Sequence, residues 1–278
     1  MARTKDYWGT RIQRIFDEHQ KELAADELYR RVYERTYEAV NRLYEETQGQ
    51  GLTRTQLYRS ARFLSWRRDL MRQLDGLSGT LDDRMERVLK QAYKDAGLAA
   101  KESIGEKTVW TVQNRKMAEA CVERKWAGDD FSGRIWKNRN ELASTLEQGI
   151  TSIILTGMGR NELLRELNDL KYRERFHPPD GASQSEIEKA YEAYLQRGRR
   201  QADCLVRTEL MHTLNTAQIE TYKSEGVNWL ELDAEPTACS KCTDVERHGP
   251  YPIGQIPWTI GHPNCRCTWL AVEDEDIK

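Results

Sequence analysis

Four of the chain's six cysteines fall within residues 239–267: Cys239-Ser240-Lys241-Cys242, then His262-Pro263-Asn264-Cys265-Arg266-Cys267. Each short-spaced pair can sit on a tight turn, so the two pairs together can surround one ion. Zn²⁺ suits such a set, because it takes four sulfur or nitrogen ligands tetrahedrally and has no redox chemistry of its own. The segment around the cysteines, about residues 227–272, offers only two strand-like runs, Trp229–Leu232 and Thr268–Val272. So little apolar surface does not hold a lobe together unaided, whereas thiolate–metal binding supplies on the order of 10 kcal/mol of folding free energy. The expectation is one structural zinc held by Cys239, Cys242, Cys265 and Cys267, with His262 as the alternative ligand. Either set closes at four ligands and leaves no position for a catalytic water. Trp258, just before the His262 turn, is expected to cover the knuckle, and the two runs to pair as neighbouring strands with the knuckle at their shared end. Cys121 and Cys204, remote in sequence, read as small buried hydrophobes.

Composition narrows the classes further. With 32% charged residues and 38% hydrophobic ones, the chain is heavily solvated, and a formal net charge of -2 argues against coating nucleic acid by bulk charge. No apolar run reaches the ~18 residues of a membrane span, and Met1-Ala2-Arg3-Thr4-Lys5-Asp6-Tyr7-Trp8 lacks the apolar core of a secretory signal. Thiols in such a setting read as metal ligands rather than disulfides.

The rest of the chain reads as helices, so the expected fold is mainly α: a helical N-terminal region, a helical core and a small C-terminal zinc-stapled β lobe. Apolar residues recur every three or four positions from Arg11 to Glu46, which predicts one helix ended by Gly49-Gln50-Gly51. Thr53 and Gln56 form a capping-box pattern before a second helix, with Gly76 and Gly79 as punctuation. A third helix begins near Leu81 and is capped at Gly97. Further helices are expected near Asn140–Leu155, Asn161–Leu170, after the Ser183–Glu186 cap, and from about Arg200 to Lys223, ending at Gly226. Pro178-Pro179-Asp180-Gly181 reads as a loop, and the acidic run Glu273–Asp276 as a frayed tail. The change of texture near Phe131 divides the chain into residues 1–130, a charged helical region for partner contacts, and 131–278. The first of these, with helices over 11–97, is expected to be separable from the zinc lobe.

Two polar constellations stand apart from the cysteines. Thr208, Asn215 and Tyr222 are spaced by seven and share one face of a helix otherwise bordered by apolar residues. Polar groups so placed need partners. The reading is an internal clamp of Arg207, Glu209 and Asn215, with Arg207 and Glu209 tying the helix to the knuckle lobe. The rival reading is a zinc-dependent hydrolase or nuclease using Glu209, held near His212, together with His262. Arg54, Arg59, Arg62, Arg67, Arg68 and Arg72 face a single acid, Asp69, and could meet a phosphate backbone; a solvated helix face accounts for them equally simply. A zinc-knuckle DNA-binding protein is the remaining alternative.

The order Arg207-Thr208-Glu209, Asn215-x-Ala217, Tyr222, Gly226, Asp233, Cys239-x-x-Cys242, Gly249 and His262-Pro263-Asn264-Cys265-Arg266-Cys267 resembles the phage Mu F-like minor head proteins, or head morphogenesis proteins, of tailed phages and prophages. The likeness covers roughly residues 131–272. It implies a minor capsid protein without catalytic turnover, located in the virion near the portal vertex and, during assembly, in the bacterial host cytoplasm. The implied role is head assembly, DNA packaging or DNA ejection. The implied partners are the portal protein, other head components and packaged double-stranded DNA, with no membrane and no small-molecule substrate. The family varies in its first metal pair, which leaves His262 and His248 as rival ligands.

Overall fold

A computed structural model describes residues 5–23, 26–47, 52–156, 184–274 and 277. The expected helix at Asn161–Leu170, the Pro178–Gly181 loop, the Ser183 cap and the tail residues Glu275 and Asp276 lie outside the described residues. Among those described, the fold is mainly helical with one small antiparallel sheet near the C-terminus. Its helices are α1 (Lys5–Glu22), α2 (Asp26–Thr47), α3 (Arg54–Arg59), α4 (Ala61–Ser103), α5 (Val112–Glu123), α6 (Phe131–Thr156), α7 (Gln184–Ser224) and α8 (Ser240–His248). The strands are β1 (Trp229–Asp233), β2 (Tyr251–Pro252) and β3 (Thr268–Val272), in the order β2-β1-β3. No described helix is long and apolar enough to cross a membrane.

The chain forms two compact units. The first comprises residues 1–24, 82–134 and 203–278, the second residues 25–81 and 135–202. Each unit therefore draws segments from both sides of residue 130. The first gathers α1 and the sheet into one compact unit. The physical reason is an arginine between two cysteines. Arg266 donates to Gln13 at 3.0 Å, pairs with Asp17 at 2.9 Å and with Glu235 at 3.2 Å, and lies over the Phe16 ring. Gly9 sits where α1 meets the end of β1: a Cβ there would lie 1.9 Å from a carboxylate oxygen of Asp233.

The second unit is held by apolar faces of its helices. Leu28, Val32, Leu43, Leu57, Phe63, Trp66, Leu70 and Leu74 are buried, as are Leu142, Leu146 and Ile150. Tyr58, Phe63 and Trp66 form a run of ring contacts with centroids 4.7 and 5.3 Å apart. Three of the arginines proposed for a phosphate surface are committed elsewhere: Arg62 to Glu46, Arg67 to Glu147 and Arg72 to Asp69.

Two expected boundaries are corrected. The pattern from Arg11 to Glu46 is two helices, α1 and α2, which belong to different units. The capping box is present: Gln56 N–H donates to the Thr53 hydroxyl, and the Gln56 side chain accepts from Thr53 N–H at 2.8 Å. It opens only the short α3. Ser60 then accepts from Phe63 N–H at 3.2 Å and starts α4, which runs unbroken through Gly76, Gly79 and Gly97. A helical glycine costs about 1 kcal/mol relative to alanine. Burial of Leu70, Leu74, Leu77, Leu81 and Met85 along α4 outweighs that cost. Gly97 is a close-approach site rather than a cap, since a Cβ there would lie 3.2 Å from the Thr221 hydroxyl of α7. Gly226, at φ +80°, does end a helix: Val227 N–H bonds Tyr222 C=O across it at 3.0 Å.

Gly76 and Gly79 have open space where a Cβ would stand. Gly76→Ala and Gly79→Ala are each expected to raise stability to urea by roughly 0.5–1 kcal/mol. A loss of stability in both would mean that α4 is broken there.

Candidate metal centre and its clamp

The sheet is registered by β1 and β3, which pair antiparallel from Trp229↔Val272 to Asp233↔Thr268. The chain leaves β1 at Asp233 and enters β3 at Thr268, so the cysteine pairs flank one shared end, as the sequence led us to expect. Between them the chain forms α8 and β2, neither of which the sequence pattern revealed. Cys239 is the N-cap of α8 and Cys242 lies in its first turn. The backbone of Cys242 at this helix start, foremost among several causes, pulls the pKa of Cys239 down.

The donors form two overlapping triads, Cys239–Cys242–His262 and Cys242–Cys265–Cys267, within each of which the ligand atoms lie within 4.8 Å of one another. This cluster could hold a metal ion. Cys242 Sγ is 3.8 Å from Cys239 Sγ, 3.7 Å from Cys265 Sγ and 3.6 Å from His262 Nε2. Metal–sulfur bonds of about 2.3 Å in a tetrahedron give a sulfur–sulfur edge of about 3.8 Å, and replacing one sulfur by nitrogen at about 2.0 Å gives an edge of about 3.5 Å. The three edges at Cys242 are thus of tetrahedral length, and the two triads meet at that sulfur. Cys242, Cys265 and Cys267 are buried, while Cys239 faces solvent. Without an ion the sulfurs divide protons unevenly: burial pushes Cys242 up to about 12, and the hydrogen bond from Cys267 brings Cys265 down to about 5. Binding an ion displaces such protons, which couples metal affinity to pH. His248 is in neither triad; its Nδ1 hydrogen-bonds Asp244 C=O within α8 at 2.7 Å. Trp258 packs against the core that contains Cys242, Cys265 and Cys267, and its carbonyl accepts from the Trp269 indole at 3.0 Å.

The polar stripe of α7 finds its partners here. Thr208 Oγ1 accepts from Asn264 N–H at 3.1 Å. Asn215 Nδ2 donates to Cys267 C=O at 3.0 Å and to Thr259 C=O at 2.9 Å. Gln218 Nε2 donates to Trp269 C=O at 3.2 Å. The Tyr222 hydroxyl meets the backbone of Ala271 and the hydroxyl of Ser103. The Thr268 hydroxyl, fully buried, lies 3.1 Å from the amide oxygen of Asn215 and 2.8 Å from that of Gln218. Residues 267, 269 and 271 alternate along β3, so α7 satisfies the backbone of that edge strand with side chains. Seven helical residues advance about 10 Å and four strand residues about 13 Å, a mismatch within side-chain reach. Gln218 was missed in the sequence, although its position three residues after Asn215 put it on the same face.

The clamp is corrected in its membership. Arg207 is exposed and has no ion-pair partner among the described residues. Glu209 is buried and does not reach the knuckle. It pairs with Arg134 and accepts from Trp126 Nε1 at 2.9 Å. Arg134 also donates to the carbonyls of Trp126 and Asp129, pinning a tight turn in which Ala127 and Gly128 have φ of +48° and +93°. The reason is geometric: residues 207 and 209 lie about 200° apart around a helix of 3.6 residues per turn, so they do not share a partner. His212 stacks on Trp126 at 4.2 Å with the planes 4° apart. Burial raises the pKa of Glu209 against the pull of Trp126 and Arg134, and lowers that of His212 to about 4, with Arg124 and Arg134 assisting. Glu209 belongs to neither donor triad. Cys204, expected far from the cluster, accepts from the Asn264 side chain at 3.2 Å beside the HPNC turn, whereas Cys121 is buried as expected.

No family model matches the chain, and no curated protein or solved structure is significantly similar to it.

Glu209→Gln keeps the bond from Trp126 but strands Arg134, and is expected to cost about 3–5 kcal/mol with no change in bound metal. For His212, a folded pKa below the unfolded value means that its contribution is complete above pH 6.5 and is lost as pH falls through about 4. That contribution is on the order of 3 kcal/mol. The stability difference between the wild type and His212→Gln, measured by urea unfolding, should therefore narrow as pH is lowered from 7 to 4. A constant difference would contradict it.

Proposed function

We propose that the chain is a minor capsid protein of the Mu F-like head morphogenesis class, that it works by binding rather than by turnover, and that its C-terminal cluster holds one structural Zn²⁺. The reading rests on the residue motif, and the observation that carries it is that the residues of that motif are one physical unit. Thr208, Asn215 and Tyr222 bond to the backbone of the His262–Cys267 turn and the strand that follows it, so the spacing of the motif reflects a single folded module. Zinc is preferred among ions because the donors are thiols and imidazole, a soft set without carboxylate oxygens.

Against the hydrolase or nuclease reading, Glu209 is occupied by Arg134 and Trp126 and grouped with none of the metal donors. The partners implied are the portal protein and other head components, at the portal vertex of the capsid interior. Direct contact with packaged DNA is a weaker element of this reading, since half of the Arg54–Arg72 cations are already ion-paired.

Co-expression with a portal protein from the same phage or prophage tests the function. The full chain should co-purify with portal rings in stable stoichiometry and should be incorporated into heads. Metal-dependent cleavage of DNA or peptide by the pure chain, abolished by Glu209→Ala with the fold retained, would overturn the assignment.

A further inference from the structure

The two most exposed large apolar side chains among the described residues stand in one short segment between α4 and α5: Val109 is 55% exposed and Val112 69%. We infer that this segment is a finger by which one copy of the chain grips another, residues 107–116 of one copy seating in a cleft that the first unit of a second copy forms beside β3. The inference goes beyond the capsid reading and does not rest on it.

The finger is held in place rather than loose. Residues 105–109 and 111–113 are all exposed, but Trp110 between them is partly buried. Its ring meets that of Tyr93 with centroids 6.3 Å apart, and a Cβ at Gly97 of α4 would lie 3.7 Å from it. Thr111 caps α5, its hydroxyl accepting from Asn114 N–H at 3.2 Å. The valines are thus presented on an ordered stretch, which lowers the entropic cost of burying them in a partner. Exposed aliphatic side chains scattered singly are ordinary, whereas neighbouring ones mark a contact surface. From Lys107 to Lys116 the chain carries Lys107, Arg115 and Lys116 and no acid. All three cations are exposed, and none has an ion-pair partner among the described residues.

The cleft has the complementary character. Its volume of about 950 Å³ is at the upper end for ligand sites and gives room for several residues of chain. Leu270 and Tyr222, both buried, contribute to its apolar lining, with Ile104, Val227 and Val272 half-buried along it. Its rim is acidic. Glu102 and Glu231 are already paired with Arg11 and Lys5. Glu273 has no ion-pair partner among the described residues, and Asp274 accepts from the neutral Asn228 amide at 3.0 Å. An apolar centre flanked by unpaired cations therefore matches an apolar cleft edged by unpaired anions. Neither Val109 nor Val112 lines the cleft of its own chain. Side chains of α7 take the carbonyls of Cys267 and Trp269 on β3, so the contact is made by side chains rather than by an added strand.

Sedimentation velocity of the full-length protein over rising concentration tests the inference. The mean mass should climb above that of a single chain. A mass that stays that of one chain up to the solubility limit would overturn the inference and leave the capsid reading standing. Val109→Asp combined with Val112→Asp should weaken self-association by at least about ten-fold, scored on protein whose helical circular dichroism matches the wild type. Reversal of the rim, Glu273→Lys with Asp274→Lys, should weaken it as well, and so should reversal of the finger, Lys107→Glu with Arg115→Glu and Lys116→Glu. The two reversals placed together in one chain should restore association to within a few-fold of the wild type. Self-association that survives the valine substitutions, or that the combined reversals fail to restore, would show that copies meet elsewhere and contradict the assignment.

Discussion

The C-terminal lobe depends on the hydrogen bonds between the side chains of α7 and the backbone of residues 264–271. An edge strand leaves a row of carbonyl and N–H groups without partners, and burying them unpaired costs about 1–3 kcal/mol each. Here a helix supplies the missing partners through Asn215, Gln218 and Tyr222. The consequence is twofold. The sheet needs no fourth strand on that side, and the turn bearing the candidate donors Cys265 and His262 is located relative to a long helix rather than to a loop. Cys242 then closes the site from α8. The positions of Cys265 and Cys267 are thus set by satisfaction of the backbone beside them.

This lobe is also the anchor for the N-terminal helix. Arg266 points away from the cysteines on either side of it and binds Gln13, Asp17 and the face of Phe16 on α1. A short cysteine turn thereby does two things at once, with alternate side chains facing the thiol cluster and α1. On the other side of α7, Glu209, Arg134 and Trp126 form a second polar junction, buried and satisfied, that fixes the turn before α6. Both junctions are structural in character. Both tie together segments that are distant in sequence within the first unit.

Much of this was legible in the sequence where local chemistry decides. The paired cysteine spacing, the two flanking strands, the Thr53–Gln56 capping box and the polar stripe on α7 are all short-range patterns with one dominant physical meaning. What was not legible depends on tertiary context. Gly76 and Gly79 look like helix stops, but the burial of the leucines around them carries α4 through. Arg207 and Glu209 look like a pair because they are adjacent in the motif, yet helical geometry sends them apart, and the arginine that meets Glu209 comes from residue 134. Nothing near Arg134 in the sequence marks it for that role. The attachment of α1 through Arg266 was equally hidden, since the partners are some 250 residues apart and neither end carries a signal of the other.

Asn215 is the point at which the account is most exposed. It is fully buried and bonds Cys267 C=O, Thr259 C=O and the Thr268 hydroxyl. Asn215→Leu keeps the branched shape of the side chain and favours the helix while removing all three bonds. Hydrogen exchange of the variant, followed segment by segment, measures the consequence directly. The account predicts that amides of residues 264–272 lose protection by several orders of magnitude and that α1 loses protection with them, while amides of α2 and α3 exchange as in the wild type. Unchanged protection across residues 264–272 in Asn215→Leu would show that the α7 side chains do not hold the lobe.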